Sequence, residues 1–314
     1  MLATFPLFPA ALQSLSSIHS SQTVRFGVIT DVHQDVMHDG HERLERFVEA
    51  MQLANVDFII QLGDFCVPHP RNSGFMEIWK SFQGPRYHVL GNHDMDGGYQ
   101  RQHTVQYYQM PDRFYTFDAG PIRGIVLDTN DPGGSATGYK KYIAKDQIQW
   151  LEEQLAQSDR PVCLFLHHPL DEPKGIENRR EVRAVIEKAQ SRSSNILAVF
   201  SGHYHEDYHH LVQQVRYLQI NSASYVWLGE AGARETWDPL IHKKHPSLRS
   251  VAAYKDPLWA LVTIDFSSNQ LIVQGRQSQW VGPNPWERGV KESDYPKQTN
   301  RPEISSVQVA IDRL

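Results

Sequence analysis

Aspartate, asparagine and histidine side chains follow short apolar runs at five places in this sequence. Any one of these blocks occurs by chance in many proteins, but a packing role does not explain five of them in the same position after an apolar run. Because ligands bind at the carboxyl ends of strands in open α/β sheets, seven potential nitrogen and oxygen ligands are expected to converge. The blocks are Asp31-Val32-His33, Gly63-Asp64, Gly91-Asn92-His93-Asp94, His167-His168-Pro169 and Gly202-His203-Tyr204-His205.

The mixture of imidazole and carboxylate ligands indicates which metals would bind. Imidazole together with carboxylate suits zinc, manganese and iron, whereas a set of oxygen ligands alone would suit magnesium or calcium. Seven side chains are too many for one ion with about four to six ligands, but they divide into two sets if one carboxylate bridges. The sequence therefore predicts a site for two divalent transition-metal ions, Mn²⁺, Fe²⁺ or Zn²⁺.

The elements that must position these blocks alternate along the chain. Short apolar runs alternate with amphipathic stretches, a pattern typical of a layered α/β domain. Leu44, Phe47, Val48 and Met51 recur with helical spacing and predict a helix over residues 41–55. Three segments without periodicity are predicted to be loops: 95–113, 131–141 and 229–255. Strands are predicted over residues 24–30, 58–62, 87–90, 122–127, 162–166, 196–201, 215–220, 259–265 and 271–274.

Length and composition limit the possible classes of protein. The chain has 314 residues, a net charge of -5 and a mean hydropathy of -0.49, and it contains no apolar run long enough to span a membrane. We expect a soluble protein, cytoplasmic or exported, without a general attraction for nucleic acid. The expected organisation is an irregular N-terminal arm or export-signal remnant over residues 1–22, one domain over 23–280, and a C-terminal surface tail over 281–314.

The five blocks together resemble the signature of the calcineurin-like metallophosphoesterases. That signature reads D-x-H, G-D, G-N-H-[DE], H and G-H-x-H in this order, and all five parts are present between about Val24 and Tyr208. The resemblance implies a four-layer αββα sandwich, in which two mixed β-sheets are flanked by helices. It also implies a dinuclear metal site at the C-terminal ends of the strands.

The resemblance further implies how the ligands divide between two metals. Asp64 would bridge the two ions. In the H-H-P block the family pattern favours His167 as the ligand, with His168 lining the pocket. The first metal would be held by Asp31, His33, Asp64 and His205, and the second by Asp64, Asn92, His167 and His203.

The implied reaction is hydrolysis of a phosphate ester by a metal-bridging hydroxide. His93 would act as the general acid, with Asp94 as a candidate to orient its ring; the alternatives are a structural histidine and a carboxylate that caps a helix. The substrate would be a phosphodiester or phosphomonoester of a small molecule. The alternatives are a nuclease that uses the same metal site and a non-catalytic binding scaffold.

The neighbours of the bridging residue distinguish branches of this family. Val67 stands where purple acid phosphatases have a tyrosine, and no arginine follows Asp64 closely as in Ser/Thr protein phosphatases. The sequence is therefore more similar to the bacterial phosphodiesterases and phosphatases of small molecules. Substrate choice is predicted to depend on the segment 95–113, in which Arg101 would favour a monoester.

Overall fold

Two six-stranded β-sheets form the centre of the protein, whose computed structural model describes residues 22–193 and 195–311. The N-terminal arm expected over residues 1–22 lies, except for Gln22, outside the described residues. The strands are β1 (Thr23–Ile29), β2 (Phe58–Gln61), β3 (Arg86–His88), β4 (Tyr115–Ala119), β5 (Ile122–Val126), β6 (Val162–Phe165), β7 (Ile196–Ser201), β8 (Tyr208–Val212), β9 (Val215–Gln219), β10 (Tyr225–Trp227), β11 (Val251–Ala253), β12 (Ala260–Asp265), β13 (Gln270–Gln274) and β14 (Val307–Ala310).

Both large sheets are mixed. The first has the order β14-β13-β12-β1-β2-β3, and its strands β1, β2 and β3 are parallel. The second has the order β4-β5-β6-β7-β9-β8, with β5, β6, β7 and β9 parallel. Strands β10 and β11 form a separate two-stranded ribbon. The parallel strands bring the residues that follow β1, β2, β3, β6 and β7 to one end of the two sheets.

Aromatic side chains fill the space between the two sheets. Phe26 of β1 stacks on Phe58 of β2 with ring centroids 4.7 Å apart. Its edge also meets Phe165 of β6 at 5.9 Å and Phe200 of β7 at 5.7 Å. These four side chains are buried, and such edge-to-face pairs add to the stabilisation from burial alone. The inner faces of the two sheets therefore share one core.

Helices cover the outer faces of both sheets. Helix α1 packs Met51 and Phe47 against Gly27 of β1, where a β-carbon would overlap the Met51 side chain. Leu151 and Ile186 belong to a second core on the outer face of the other sheet. The predicted four-layer αββα sandwich is thus confirmed. The helices are α1 (Gly40–Leu53), α2 (Ser73–Lys80), α3 (Arg101–Tyr108), α4 (Lys145–Gln157), α5 (Arg179–Ser193) and α6 (Pro239–Lys244).

Three segments that were expected to lack regular structure contain helices or strands. The segment 95–113 contains α3, and the segment 229–255 contains α6 and β11. Residues 281–314 were expected to form a surface tail, but β14 pairs antiparallel with β13 and Ile304 is buried. An edge strand with alternate exposed residues carries little hydrophobic signal, which explains why β14 was missed. No helix within the described residues is long and apolar enough to cross a membrane.

Candidate metal centre

The seven predicted ligands converge at the end of the sheets, and the backbone there is unusual. Five of them have a left-handed backbone conformation, which non-glycine residues adopt rarely and at a cost in free energy. The surrounding structure therefore holds these residues in place, as is common at functional sites. The positive φ angles are 51° at Asp31, 50° at His33, 52° at Asp64, 75° at His203 and 55° at His205.

The first group of donor atoms lies between β1, β2 and the segment after β7. Nε2 of His205 is 3.1 Å from Oδ1 of Asp31 and 3.2 Å from Nε2 of His33. Nε2 of His33 is 3.7 Å from Oδ1 of Asp31 and 3.7 Å from Oδ2 of Asp64. Two imidazole nitrogens and two carboxylate oxygens thus face one point, as the ligands of a cation do.

The second group of donor atoms is centred on His167. Its Nε2 is 3.2 Å from Oδ1 of Asn92, 3.2 Å from Nδ1 of His203 and 3.3 Å from Oδ2 of Asp64. The same Oδ2 of Asp64 also belongs to the first group. One carboxylate therefore contacts both groups, as the resemblance implied for a bridging ligand.

The residues around the two groups hold the donor atoms in position. Nδ1 of His167 donates to the Leu62 carbonyl at 2.8 Å, which leaves Nε2 free to bind a cation. Oδ1 of Asp64 accepts from the backbone N–H of His93 at 2.8 Å. A β-carbon at Gly91 would overlap the Asp64 carboxylate, so only glycine allows this close approach.

The donor chemistry fits divalent transition metals. Burial lowers the pKa of both His33 and His203 to about 3, so these rings are neutral, which is the form that binds metal. The Asp31 carboxylate is fully buried, and although burial opposes its ionisation, the neighbouring His205 holds its pKa below the usual range. Four imidazoles, two carboxylates and one amide oxygen would serve two such ions well.

The two adjacent histidines after β6 differ in their surroundings. His167 contacts donor atoms of the second group, as described above. Nδ1 of His168 instead pairs with the Thr129 hydroxyl at 2.7 Å, and its ring packs against that of His203 with centroids 4.1 Å apart. The geometry therefore favours His167 as the ligand, with His168 supporting the ring of His203.

His93 lies beside the two groups, and its partner is Asp96. Nδ1 of His93 is 2.7 Å from Oδ2 of Asp96, and the Tyr139 hydroxyl donates to the other Asp96 oxygen at 2.8 Å. Burial lowers the pKa of His93, but Asp64 and then Asp96 outweigh this effect and raise it to about 9. Cations bound at Asp64 would offset the charge of that residue, which leaves Asp96 as the partner that keeps His93 protonated.

Asp94 occupies a different position from the one suggested for it. Its fully buried carboxylate accepts from the backbone N–H groups of Phe65 at 2.7 Å and Gly91 at 2.8 Å, and from the Tyr108 hydroxyl at 3.0 Å. Burial and then Asp64 raise its pKa to about 7. Asp94 therefore joins the loops that carry the predicted ligands, and the carboxylate that lies beside the His93 ring is that of Asp96.

His93 and Asp64 line two cavities. The smaller, of about 230 Å³, is also lined by Arg71 and His69. The larger, of about 560 Å³, is lined by Tyr139, Trp227 and Tyr295 among others. We call them the basic lobe and the aromatic lobe. Asp96 and Arg71 were missed from the sequence, although the spacing of Asp96 three residues after His93 was a usable signal.

Arg101 was expected to favour a monoester if it reached the pocket, but it lines neither lobe. Its guanidinium lies 2.6 Å from Asp128 and 2.5 Å from Asp131, and both carboxylates are buried. Arg113 binds the same two carboxylates. Arg101 therefore neutralises the charge of two buried carboxylates. The arginine that lines the basic lobe is Arg71.

A family comparison supports the same chemistry as the geometry. A family model described as calcineurin-like phosphoesterase matches residues 24–207, which is more than half of the chain. The chain therefore belongs to the calcineurin-like phosphoesterases. It is a hydrolase, and members of this class cleave phosphate esters with the help of divalent metal ions.

Two curated relatives were found. A Fibrobacter succinogenes protein named "Probable cyclic nucleotide phosphodiesterase" is 24% identical over 217 residues, which are 62% of this chain and 77% of that protein. A rice protein named manganese-dependent ADP-ribose/CDP-alcohol diphosphatase is 29% identical over 163 residues, or 43% of this chain. This second alignment spans only half of the rice protein.

Solved structures with the same fold include two at low sequence identity. A dimetal phosphatase from Danio rerio gives a TM-score of 0.59 at 16% identity, covering 82% of this chain and 98% of that one. GAP50, described as the anchor in the inner membrane complex of Plasmodium, gives 0.57 at 14% identity, covering 92% and 89%. At such identities the likeness concerns the fold alone.

Proposed function

We propose that this chain hydrolyses a phosphodiester or phosphomonoester of a small organic molecule at a site for two divalent metal ions. The observation that carries the proposal is the pair of donor groups that share Oδ2 of Asp64. Both curated relatives are named for small organic phosphates, and the rice protein is named as manganese-dependent. Manganese is therefore the first metal to test, followed by iron and zinc.

The bound metals would supply the nucleophile and polarise the phosphate. Two divalent ions held by these residues would lower the pKa of a water molecule and stabilise charge on the phosphoryl oxygens. The chain itself fixes the two donor groups, because Asp31, His167 and Asp64 are each held by hydrogen bonds to backbone or side-chain atoms of the strand ends. Little rearrangement is then needed during the reaction.

His93 is the proposed general acid. Its Nδ1 is engaged by Asp96, so Nε2 is the nitrogen available to protonate the oxygen of the leaving group. The carboxylate of Asp96 keeps the ring oriented and protonated. Tyr139, which donates to Asp96, fixes that carboxylate in turn.

The test compares leaving groups in wild-type protein and His93→Ala, each loaded with manganese. We expect the variant to lose about 10²- to 10⁴-fold in kcat/KM on alkyl esters, and much less on nitrophenyl esters, because a good leaving group departs without a proton. Asp159→Asn, at an exposed carboxylate beyond α4, is the matched control and should behave as wild type. Equal losses on both classes of ester would contradict the role of His93.

A further inference from the structure

The aromatic lobe combines exposed rings with carboxylates. Trp227 is 48% exposed and Tyr139 is 47% exposed, which is unusual for such large side chains. The Tyr295 hydroxyl donates to the Trp227 carbonyl at 3.0 Å, so the C-terminal segment is held against this wall. Exposed apolar surface beside a reactive centre commonly marks a binding site.

Apart from histidines, the charged side chains that line the aromatic lobe are all carboxylates. Among the described residues that line it there is neither a lysine nor an arginine. Three carboxylates line it besides Asp64, namely those of Asp96, Glu206 and Asp294. Asp96 is engaged by His93, whereas Glu206 and Asp294 have no ion pair within 4.0 Å among residues 22–193 and 195–311. Two carboxylates thus face the lobe without a cationic partner.

The basic lobe differs in carrying an arginine. Arg71 and His69 line it together with four aspartates, and the Arg71 guanidinium is partly exposed although it contacts Asp35 at 2.8 Å. Arg71 would therefore meet an anionic or polar group of a substrate that enters this lobe.

We propose that the aromatic lobe binds a cationic organic group, such as an alkylammonium alcohol esterified to the phosphate. This inference rests on the proposed function, since the phosphate would lie at the donor groups of Asp64. Ring faces attract organic cations, and carboxylates that have hydrogen bonds but no ion pair add to that attraction. A neutral flat group would cover the rings but would leave Glu206 and Asp294 without a counterion.

The test uses two substrates of the same size that differ only in charge. These are the p-nitrophenyl phosphodiesters of choline and of 3,3-dimethyl-1-butanol, in which a carbon replaces the ammonium nitrogen. We expect wild-type kcat/KM to be about tenfold higher for the choline ester, mainly through a lower KM. Equal values, or a higher value for the neutral ester, would overturn the proposal.

Variants test whether the preference for the choline ester arises in the aromatic lobe. Trp227→Leu and the double variant Glu206→Gln, Asp294→Asn should each reduce the tenfold ratio to about threefold or less, with unchanged metal content. Trp227→Phe should keep most of the ratio because a ring face remains. Glu292→Gln is the matched control, since that carboxylate pairs with Lys297 outside the lobe. A ratio that survives both lobe variants would overturn the proposal.

Binding measurements separate this proposal from the proposed hydrolysis. Isothermal titration calorimetry can follow the binding of choline and of 3,3-dimethyl-1-butanol to wild-type protein and to Trp227→Leu, without any turnover. Tighter binding of choline that is lost in the variant supports the lobe even if no ester is cleaved. If bis(p-nitrophenyl) phosphate is cleaved but neither assay shows a preference for choline, the proposed hydrolysis stands and the proposed binding of a cationic group is wrong.

Discussion

The two groups of donor atoms and the two lobes differ in how firmly the surrounding structure holds their residues. Six of the seven predicted ligands, all except His203, are buried, and they follow strand ends that the common core fixes. The walls of the lobes are partly exposed: Tyr139 and Tyr295 lie in connecting segments, and Trp227 ends the short strand β10. Chemistry is thus placed on rigid elements, whereas the choice of substrate depends on surfaces that can change without affecting the core.

Asp64→Ala should have the largest effect and would test the role assigned to the ligand groups. Because its Oδ2 contacts both groups, we expect both metals to be lost and kcat/KM to fall by a thousandfold or more, which corresponds to about 4 kcal/mol. Metal analysis of the purified protein checks this. His33→Ala should remove mainly one ion, and full occupancy in Asp64→Ala would contradict the bridging assignment.

Asp96→Asn tests whether Asp96, which lines the aromatic lobe, raises the pKa of His93. With cations bound at Asp64, the Asp96 carboxylate is the partner that raises the pKa of His93, and the general acid is lost as the pH rises through that pKa. Removing the negative charge of Asp96 lowers this pKa, so the alkaline limb of kcat/KM should move down by on the order of one pH unit. At pH values well above both pKa values the variant should be about tenfold slower than wild type, whereas at lower pH the two should be similar.

The pH profile of Asp94→Asn provides the contrast to that of Asp96→Asn. The buried Asp94 carboxylate holds loop N–H groups and does not pair with the His93 ring, so this substitution should lower thermal stability. The alkaline limb should remain where it is in wild-type protein. A shift as large as that of Asp96→Asn would return the orienting role to Asp94.

Arg71→Gln should have a smaller effect, confined to the basic lobe. We expect a loss of about threefold to tenfold on p-nitrophenyl phosphate and little change on bis(p-nitrophenyl) phosphate, because a monoester carries the additional charge that Arg71 would stabilise. Steady-state kinetics on the two substrates measure the difference. Equal changes on both would show that this lobe does not select by charge.

Arg101→Gln should leave the preference between monoester and diester unchanged and should instead lower the stability of the folded protein. Its guanidinium neutralises the buried Asp128 and Asp131, and Arg113 remains as a second partner. The free energy of unfolding should fall by about 1–3 kcal/mol. Urea denaturation measures the loss, and a change in the ratio of monoester to diester turnover would mean that Arg101 reaches the substrate.

Local sequence determined the parts of the site that depend on strand ends. An apolar run followed by Asp31 or Asp64 specifies both the strand and the side chain at its carboxyl end, so the convergence of these side chains was predictable. The αββα class followed from the resemblance that the five blocks carry. Helix α1 was also predictable, because its buried positions recur with helical spacing. Strand β14 was not, since only its pairing with β13 makes it a strand.

The tertiary structure alone decided which neighbours act together. Both Asp94 and Asp96 follow His93 closely, and the turn at Gly97, with a φ of 78°, accompanies the placement of Asp96 at the ring while Asp94 points to the backbone of other loops. Trp227 and Tyr295 are 68 positions apart and meet because the C-terminal segment returns to the site. Such contacts depend on the path of the whole chain, which no local pattern of side chains encodes.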